Sequence, residues 1–176
     1  IWFVGDRQEG RGIFVSTRLT PYHDFDEPRI ISRSADLPAT PSITDDSLYI
    51  VYAVPEKARL MALARANPLA GFDSRDALRH SNSLAPTWTS SQMLGDGLRI
   101  YWVEETGDGQ VRTLTSSRTK RTDDFGKTYK VELAGTHPCL SRDGLRQYRF
   151  DGKTLTRYRR TSTVRKFIEE ATIAEL

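Results

Sequence analysis

A turn motif that recurs along the chain constrains the fold more strongly than any other feature of the sequence. In residues 137–150, "HPCLSRDGLRQYRF", a Pro precedes an Asp-Gly turn and a run of alternating large residues. Two earlier segments repeat this arrangement at intervals of about 50 residues. The turn residues of the motif are Asp46, Asp96, Gly97, Asp143 and Gly144. Periodicity of this length predicts a repeat protein in which each unit packs against its neighbours.

A second pattern, out of phase with the first, predicts the same repeat. Each unit places an Arg seven residues before a Phe. The four pairs are Arg18 with Phe25, Arg65 with Phe72, Arg118 with Phe125, and Arg160 with Phe167. A residue that recurs in every unit serves the common scaffold, so we interpret these pairs and the turn residues as structural.

Each unit reads as four short strands separated by turn signals such as Asp-Gly. The strands of the second unit are predicted at 41–45, 48–54, 58–66 and 76–80, and those of the third at 86–90, 98–105, 110–118 and 128–134. Tyr, Trp, Ile, Val and Thr are enriched in them, as is typical of strands. The segment 55–70 has the composition of a helix, but the Arg65/Phe72 frame aligns it with strands elsewhere.

Four strands in 40–50 residues are typical of one blade of a β-propeller. The sequence therefore predicts an all-β fold, a β-propeller with about four visible four-stranded blades in a single domain, 1–176. The blades are predicted at about 1–33, 38–81, 85–135 and 137–176. The first blade lacks its innermost strand. We expect missing upstream residues, a larger ring of which this chain is part, or self-association of two chains into a closed ring.

The last unit is more polar than the others. Gln147 and Arg149 occupy strand positions that are apolar in the two preceding units. Burying polar groups without partners costs free energy. This pattern predicts either that the last blade exposes one face or that the two side chains line a hydrated seam.

The segment Pro-x-Leu-Ser-x-Asp-Gly-Leu, from Pro138 to Leu145, is followed by a Tyr-containing strand and resembles the WD-like repeat of TolB-type β-propellers. Ser47 in place of the turn Gly and an insertion at 91–95 depart from that pattern. The resemblance implies a non-catalytic binding or scaffold module with a protein partner, in an exported, periplasmic or cell-envelope location. No catalytic triad or carboxylate pair can be assembled from the sequence, so no enzyme activity, cofactor or metal is expected.

One motif favours a different function. The segment "TDDFGKTY", 122–129, fits the Asp box found in sialidases, with Asp124 and Gly126 expected to lock a tight turn through a positive φ at the Gly. The Asp box resembles a structural element even in those enzymes. It nevertheless makes a carbohydrate-active enzyme of the sialidase or glycosidase kind the alternative hypothesis. The segment "YHDFDE", 22–27, matches no metal-binding spacing and is interpreted as a solvated turn.

A third hypothesis rests on charge. Residues 137–168 contain nine Lys or Arg residues and only two acidic ones. Aromatic residues interleave with these cations, a combination that can neutralise and stack on an anionic polymer. The candidate binding residues are Arg149, Arg157, Tyr158 and Arg159. The net charge of +3 is small, so nucleic acid is not an expected partner.

The remaining composition narrows the class of protein. No apolar run approaches the roughly 20 residues that span a bilayer, so no membrane span is predicted. The single Cys139 excludes an internal disulfide. Because the chain opens at Ile1 without a Met, we expect a processed or partial chain whose targeting signal is out of view.

Overall fold

The computed structural model describes most of the chain, and fifteen strands account for the regular structure of the described residues. The described residues are 2–8, 10–33, 39–54, 59–68, 70–72, 74–77, 88–105, 108–121, 123–131, 139–150 and 153–175. Within these ranges there is no helix, and hence none long and apolar enough to cross a membrane. The all-β prediction is confirmed.

The strands form four sheets in chain order. The first comprises β1 (Trp2–Arg7), β2 (Gly10–Val15) and β3 (Arg29–Arg33), and the second β4 (Ala39–Ile43), β5 (Tyr49–Val54), β6 (Arg59–Ala64) and β7 (Ser74–Ala77). The third comprises β8 (Trp88–Met93), β9 (Arg99–Glu105), β10 (Val111–Ser117) and β11 (Tyr129–Val131), and the fourth β12 (Cys139–Leu140), β13 (Arg146–Phe150), β14 (Thr154–Arg159) and β15 (Ile168–Glu175). Neighbouring strands are consecutive in sequence and antiparallel throughout. Each sheet is therefore an up-and-down meander.

The central part of the segment with a helical composition is a strand, as its place in the repeat predicted. Residues Arg59–Ala64 form β6 and pair along their whole length with β5. The predicted last strand of that unit, 76–80, begins two residues earlier, at Ser74, and positions 78–80 lie outside the described residues. Repeat position thus predicted the element type better than local composition did, because pairing with neighbouring strands overrides weak helix propensity.

Apolar side chains pack between consecutive sheets. Ile13 of the first sheet packs with Ile50 and Leu63 of the second. In the same way Val51 of the second sheet packs with Ile100 and Trp102 of the third. Because the sheets stack in chain order, a central strand such as β9 buries side chains on both faces. This explains the unbroken apolar run "IYWV" at 100–103.

Hydrogen bonds join the first strands of adjacent sheets at equivalent positions. The Ser42 hydroxyl accepts from the Met93 amide at 2.9 Å and donates to the Met93 carbonyl at 3.1 Å. One unit later, the Gln92 side chain bonds both backbone groups of Leu140, at 2.6 and 2.8 Å. Each of these side chains bonds the amide and the carbonyl of one residue in the next sheet, as a paired strand would. These bonds fix the spacing between units.

In the polar fourth sheet, the expectation of an exposed face is wrong at Gln147, although Arg149 is exposed. Gln147 is 0% exposed. It lies on the central strand β13, opposite Leu140 on one side and Tyr158 on the other. Burial of this position therefore persists in the fourth unit even though the residue type has changed from apolar to polar.

Two backbones approach closely at Gly12, where β2 pairs with β3 beside a β-bulge. A Cβ at this position would lie 2.1 Å from the carbonyl oxygen of Ser32. Gly5, the partner of Gly12 in β1, has only ordinary contacts, the nearest with the Phe14 ring at 3.5 Å.

We therefore expect Gly12→Ala to destabilise the protein by about 2 kcal/mol or more, since the added carbon must push two backbones apart. Gly5→Ala, in the same sheet, should change the free energy of unfolding by less than about 1 kcal/mol. Urea unfolding of the two variants measures the difference. Equal midpoints for both would contradict the close approach.

Candidate functional site: a basic cleft between the third and fourth sheets

Each unit contains a contact between its recurring Arg and Phe. The guanidinium carbon lies over the ring centroid at 4.7 Å for Arg18 and Phe25, 4.6 Å for Arg65 and Phe72, 4.5 Å for Arg118 and Phe125, and 4.4 Å for Arg160 and Phe167. The Phe lies in the connection between the third and fourth strands of a complete unit, which we call the Phe turn. Arg stacked on an aromatic face is a favourable cation–π pair.

Three of these Arg side chains reach the turn that carries the recurring Asp, which we call the Asp turn. The Nε of Arg65, Arg118 and Arg160 donates to the carbonyl of Ser47 at 2.7 Å, of Gly97 at 2.9 Å and of Gly144 at 2.8 Å. These three acceptors have positive φ values of 59°, 74° and 68°. The guanidinium therefore joins the two turns of its unit, which we call the arginine clamp.

The Asp of each Asp turn closes the turn itself. The carboxylates of Asp46, Asp96 and Asp143 accept the amide two residues ahead, at 3.0, 2.8 and 2.9 Å. Turns of this kind favour Gly at the left-handed position. Ser47 occupies that position in the second unit, so the departure from the Gly pattern changes the residue and not the conformation.

Two of the clamps also contact the preceding sheet. Arg118 and Arg160 are 8% and 6% exposed, whereas Arg18 is exposed. The Arg160 guanidinium donates to the hydroxyl of Tyr101 at 2.8 Å. Arg118 lies 4.8 Å from the ring centroid of Tyr49. The clamp therefore helps to hold one unit against the next.

The Asp turns of the last three units meet at one point. The Asp45 amide donates to the Gly95 carbonyl at 2.8 Å, and the Gly95 amide donates to the Arg142 carbonyl at 2.9 Å. The Arg142 guanidinium lies 2.9 Å from the Asp45 carboxylate. Arg121, from the Phe turn of the third unit, donates to the Asp46 carboxylate.

A cleft of about 560 Å³ opens between the third sheet and the Phe turn of the fourth unit. Its cationic lining residues are Arg99, Lys130, Arg160, Arg165 and Lys166. A second depression of about 660 Å³ shares the last three of these and adds Arg159. We call the two together the basic cleft. Among the described residues that line it, none is acidic and none is a histidine.

The cations of the basic cleft differ in how firmly they are held. Arg99 donates to the Thr163 carbonyl at 2.8 Å, and Arg160 is held by its clamp. The side chains of Lys130 and Arg165 are exposed and make no hydrogen bond or ion pair with any residue that the structure describes. The cleft thus combines fixed guanidinium groups with two exposed cations, which is chemistry for binding an anion.

Apolar surface lines the same cleft. Tyr129 and Val164 are 58% and 81% exposed and stand beside the cations. Ile168, 59% exposed, borders the second depression. A ligand with an anionic group and a flat, partly apolar body would be complementary to this lining.

The candidate binding residues of the sequence analysis are only partly in this place. Arg159 lines the second depression, but Arg149, Arg157 and Tyr158 do not line either part of the cleft. Arg157 pairs with Glu170 at 2.8 Å, and Arg159 lies 3.8 Å from the same carboxylate. Pairing on the neighbouring strand β15 therefore neutralises part of the charge that the sequence run suggested.

The basic cleft contains residues that the sequence analysis did not select. Arg99 and Lys130 come from the third unit and are distant in sequence from the basic run. Lys130 and Arg165 break the repeat, because the equivalent of Lys130 is Ile30 in the first unit and the equivalent of Arg165 is Asp123 in the third. A search for cations that interrupt the repeat would have selected both.

The Asp-box-like segment makes the same contacts as the unrelated segment of the first unit. The Ser116 hydroxyl donates to the Gly126 carbonyl at 2.7 Å, as the Ser16 hydroxyl does to the Asp26 carbonyl at 2.6 Å. The expected positive φ at Gly126 is wrong, since this residue is not among those with positive φ. Its turn is shaped by the same bonds that shape a unit without the motif.

The polar residues of segment 22–27 take part in local contacts. His23 Nδ1 lies 2.7 Å from the Thr20 hydroxyl, and the Asp26 carboxylate accepts from the Thr17 hydroxyl at 2.7 Å. Over the described ranges, no group of three or more His, Cys, Asp and Glu side chains is arranged to hold a metal ion.

Comparisons with known proteins find similarity in structure alone. No family model and no curated protein matches the chain. A protein from Bacteroides fragilis, described as a "putative 6-phosphogluconolactonase", matches 95% of this chain and 52% of its own, with 10% identity and a TM-score of 0.50. A protein of the same description from Bacteroides uniformis matches 97% and 53%, with 12% identity and a TM-score of 0.46.

A functionally unknown protein from Desulfotomaculum acetoxidans matches 91% of this chain and 62% of its own, with 9% identity and a TM-score of 0.45. The chain thus spans about half the length of both Bacteroides proteins. At these identities the likeness concerns the fold.

The prediction of a non-catalytic binding or scaffold module is wrong against this finding. The Bacteroides fragilis protein, at a TM-score of 0.50, is described as an enzyme and not as a binding module. The expectation that the chain has no enzymatic role is corrected on the same ground. That expectation rested on the absence of a catalytic motif from the sequence, but the fold can bring together a site from residues that are distant in sequence.

We expect Arg118→Lys to destabilise the protein by about 2–3 kcal/mol, because Lys keeps the charge but loses the planar stack and the Nε–H donor at a desolvated site. Arg18→Lys is the matched control. It changes the same repeat position where the Arg stacks on its Phe but is exposed, and it should cost less than about 1 kcal/mol. Thermal and urea unfolding measure both. Equal losses would contradict the role of burial.

Asp46 gives a pH-dependent prediction. Burial by itself raises the pKa of this carboxyl, but hydrogen bonds from Thr44 and Arg121, the Leu48 amide and the charge of Arg121 lower it from 3.8 to about 2. A lowered pKa stabilises the folded state above the unfolded value, and this contribution is lost as the pH falls from about 4 to about 2.

Asp46→Asn should therefore reduce stability at pH 7 by about 1 kcal/mol, a value discounted because the side chain is 38% exposed. The difference between wild type and variant should shrink toward zero by about pH 2. Urea unfolding across this pH range measures it. In an Arg121→Met background the difference should be smaller but should persist, because the hydrogen bonds from Thr44 and the Leu48 amide remain. A difference that stays constant with pH would refute the charge interaction.

Proposed function

We propose that this chain is part of a β-propeller enzyme that acts on a sugar derivative, in line with the carbohydrate-active alternative of the sequence analysis. One observation carries the proposal. The Bacteroides fragilis protein, described as a 6-phosphogluconolactonase, shares its fold with this chain over 95% of the chain at a TM-score of 0.50. The activity named for that protein is hydrolysis of a phosphorylated sugar lactone.

The arrangement of the sheets supports the propeller part of the proposal. Four antiparallel meanders follow one another in sequence, with apolar layers between the first and second and between the second and third. Leu94 and Tyr101 continue the packing to Leu140 of the fourth sheet. Successive stacking of four-stranded sheets is how propeller blades are built.

The charge of the basic cleft supports an anionic substrate. In lactone hydrolysis, water adds to the ring carbonyl, the carbon–oxygen bond of the ring breaks, and a carboxylate, a hydroxyl group and a proton result. The cleft offers cations that can hold a phosphate or the carboxylate product. None of its described lining residues is a carboxylate or a histidine that could activate the water, so the cleft is assigned to binding.

The repeat family and the cellular location are also proposals. The Pro and Asp-Gly pattern supports kinship with TolB-type repeats. An exported location, a protein partner and closure of a ring by self-association stay predictions.

Turnover tests the proposed function directly. Purified protein should accelerate proton release from 6-phosphoglucono-lactone above the spontaneous rate, in proportion to protein concentration, and should act less on the unphosphorylated lactone. Heat-unfolded protein is the control for non-specific catalysis. A rate equal to the spontaneous one on both lactones overturns the enzymatic proposal.

A further inference from the structure

We propose that the basic cleft is a binding site for the phosphate group of a small phosphorylated sugar, seated at the boundary between two repeat units. The identity of the sugar rests on the proposed function. The phosphate site itself rests on the residues of the cleft, so binding can be tested without turnover.

The charge of the cleft selects the class of ligand. Arg99, Lys130, Arg160, Arg165 and Lys166 face one space of about 560 Å³, and no described lining residue is acidic. Such a set of cations without a lining carboxylate favours an anionic ligand. Glu170 does not line the cleft; it pairs with Arg157 and lies 3.8 Å from Arg159 at the border of the second depression. A phosphate monoester, which accepts several charge-assisted hydrogen bonds, fits this donor set better than a neutral sugar.

Preorganisation distinguishes this cleft from a random basic patch. Arg160 is 6% exposed and is held by the Gly144 carbonyl, the Tyr101 hydroxyl and the Phe167 ring. Arg99 is tied to the Thr163 carbonyl across the boundary between the units. Fixed donors lose little conformational freedom when a ligand binds, which strengthens binding. Lys130 and Arg165 can then close on the ligand from the two walls.

The size and lining of the cleft favour a small ligand with a sugar body. Tyr129 exposes 58% of its surface beside Lys130, and Val164 exposes 81% beside Arg165. An aromatic ring next to a cation is suited to the apolar face of a sugar whose phosphate meets the cation. The space is bounded by the Phe turn on one side and by β10 and β11 on the other.

Lys130 and Arg165 can be changed without touching the scaffold, since both are exposed and neither belongs to a clamp. The control is Arg149→Ala, which removes one positive charge from exposed β13 outside the cleft. Isothermal titration calorimetry at low salt, with inorganic phosphate, glucose 6-phosphate and glucose, measures binding to the wild type and to each variant. Urea unfolding verifies that the variants are folded.

We expect phosphate and glucose 6-phosphate to bind the wild type, with glucose 6-phosphate tighter and glucose not detected. Lys130→Ala combined with Arg165→Ala should weaken both by about tenfold or more, because two charged hydrogen-bond donors are lost. Arg149→Ala should change Kd by less than about twofold. Rising salt should weaken binding.

Several outcomes would overturn the site. These are no binding of either phosphate ligand at millimolar concentration, equal losses in Arg149→Ala and the double variant, or binding of a heparin fragment alone, which would indicate a polymer surface. Cleft-dependent phosphate binding without lactone turnover would retain the site and overturn the proposed function. Lactone turnover that is unchanged in the Lys130→Ala, Arg165→Ala double variant would support the proposed enzymatic function and overturn the phosphate site.

Discussion

The buried arginine clamp is the interaction on which the rest of each unit depends. Arg118 brings a permanent charge into a site where it is only 8% exposed. That burial is tolerated because the Gly97 carbonyl and the rings of Phe125 and Tyr49 replace water around the guanidinium. The same contacts join the Asp turn, the Phe turn and the preceding sheet. Removing the clamp would therefore loosen three elements that no continuous strand connects.

The clamp also shapes the electrostatics of the molecule. Every unit must contribute an Arg at this position, so cations accumulate at the end of the sheets where the two kinds of turn meet. In the fourth unit Arg160 serves as clamp and as part of the wall of the basic cleft. Lys130 and Arg165, which break the repeat, turn this scaffold charge into a concave site. A structural requirement and the proposed binding site thus use the same residue type.

Polar contacts between sheets explain how the polar fourth unit packs against the apolar third unit. Gln92 bonds both backbone groups of Leu140, so the fourth sheet is positioned by hydrogen bonds as well as by apolar packing. Gln147 remains buried in that sheet because it lies on a central strand. The similarity to the Bacteroides fragilis protein extends to this sheet, since it covers 95% of the chain. At 10% identity, however, a shared fold does not identify equivalent functional residues.

The sequence by itself determined the all-β class, the approximate places of most strands in the second and third units, and the Arg–Phe pairing positions. These follow from repetition, since a pattern that recurs in every unit reports the local structure that every unit must form. Only the tertiary structure decided where the charges meet. Arg99 and Lys130 of the third unit line the same cleft as Arg165 of the fourth. Arg157 does not line it and pairs with Glu170. Such pairings depend on how sheets stack and on which face each side chain takes, and neither is encoded by proximity along the chain.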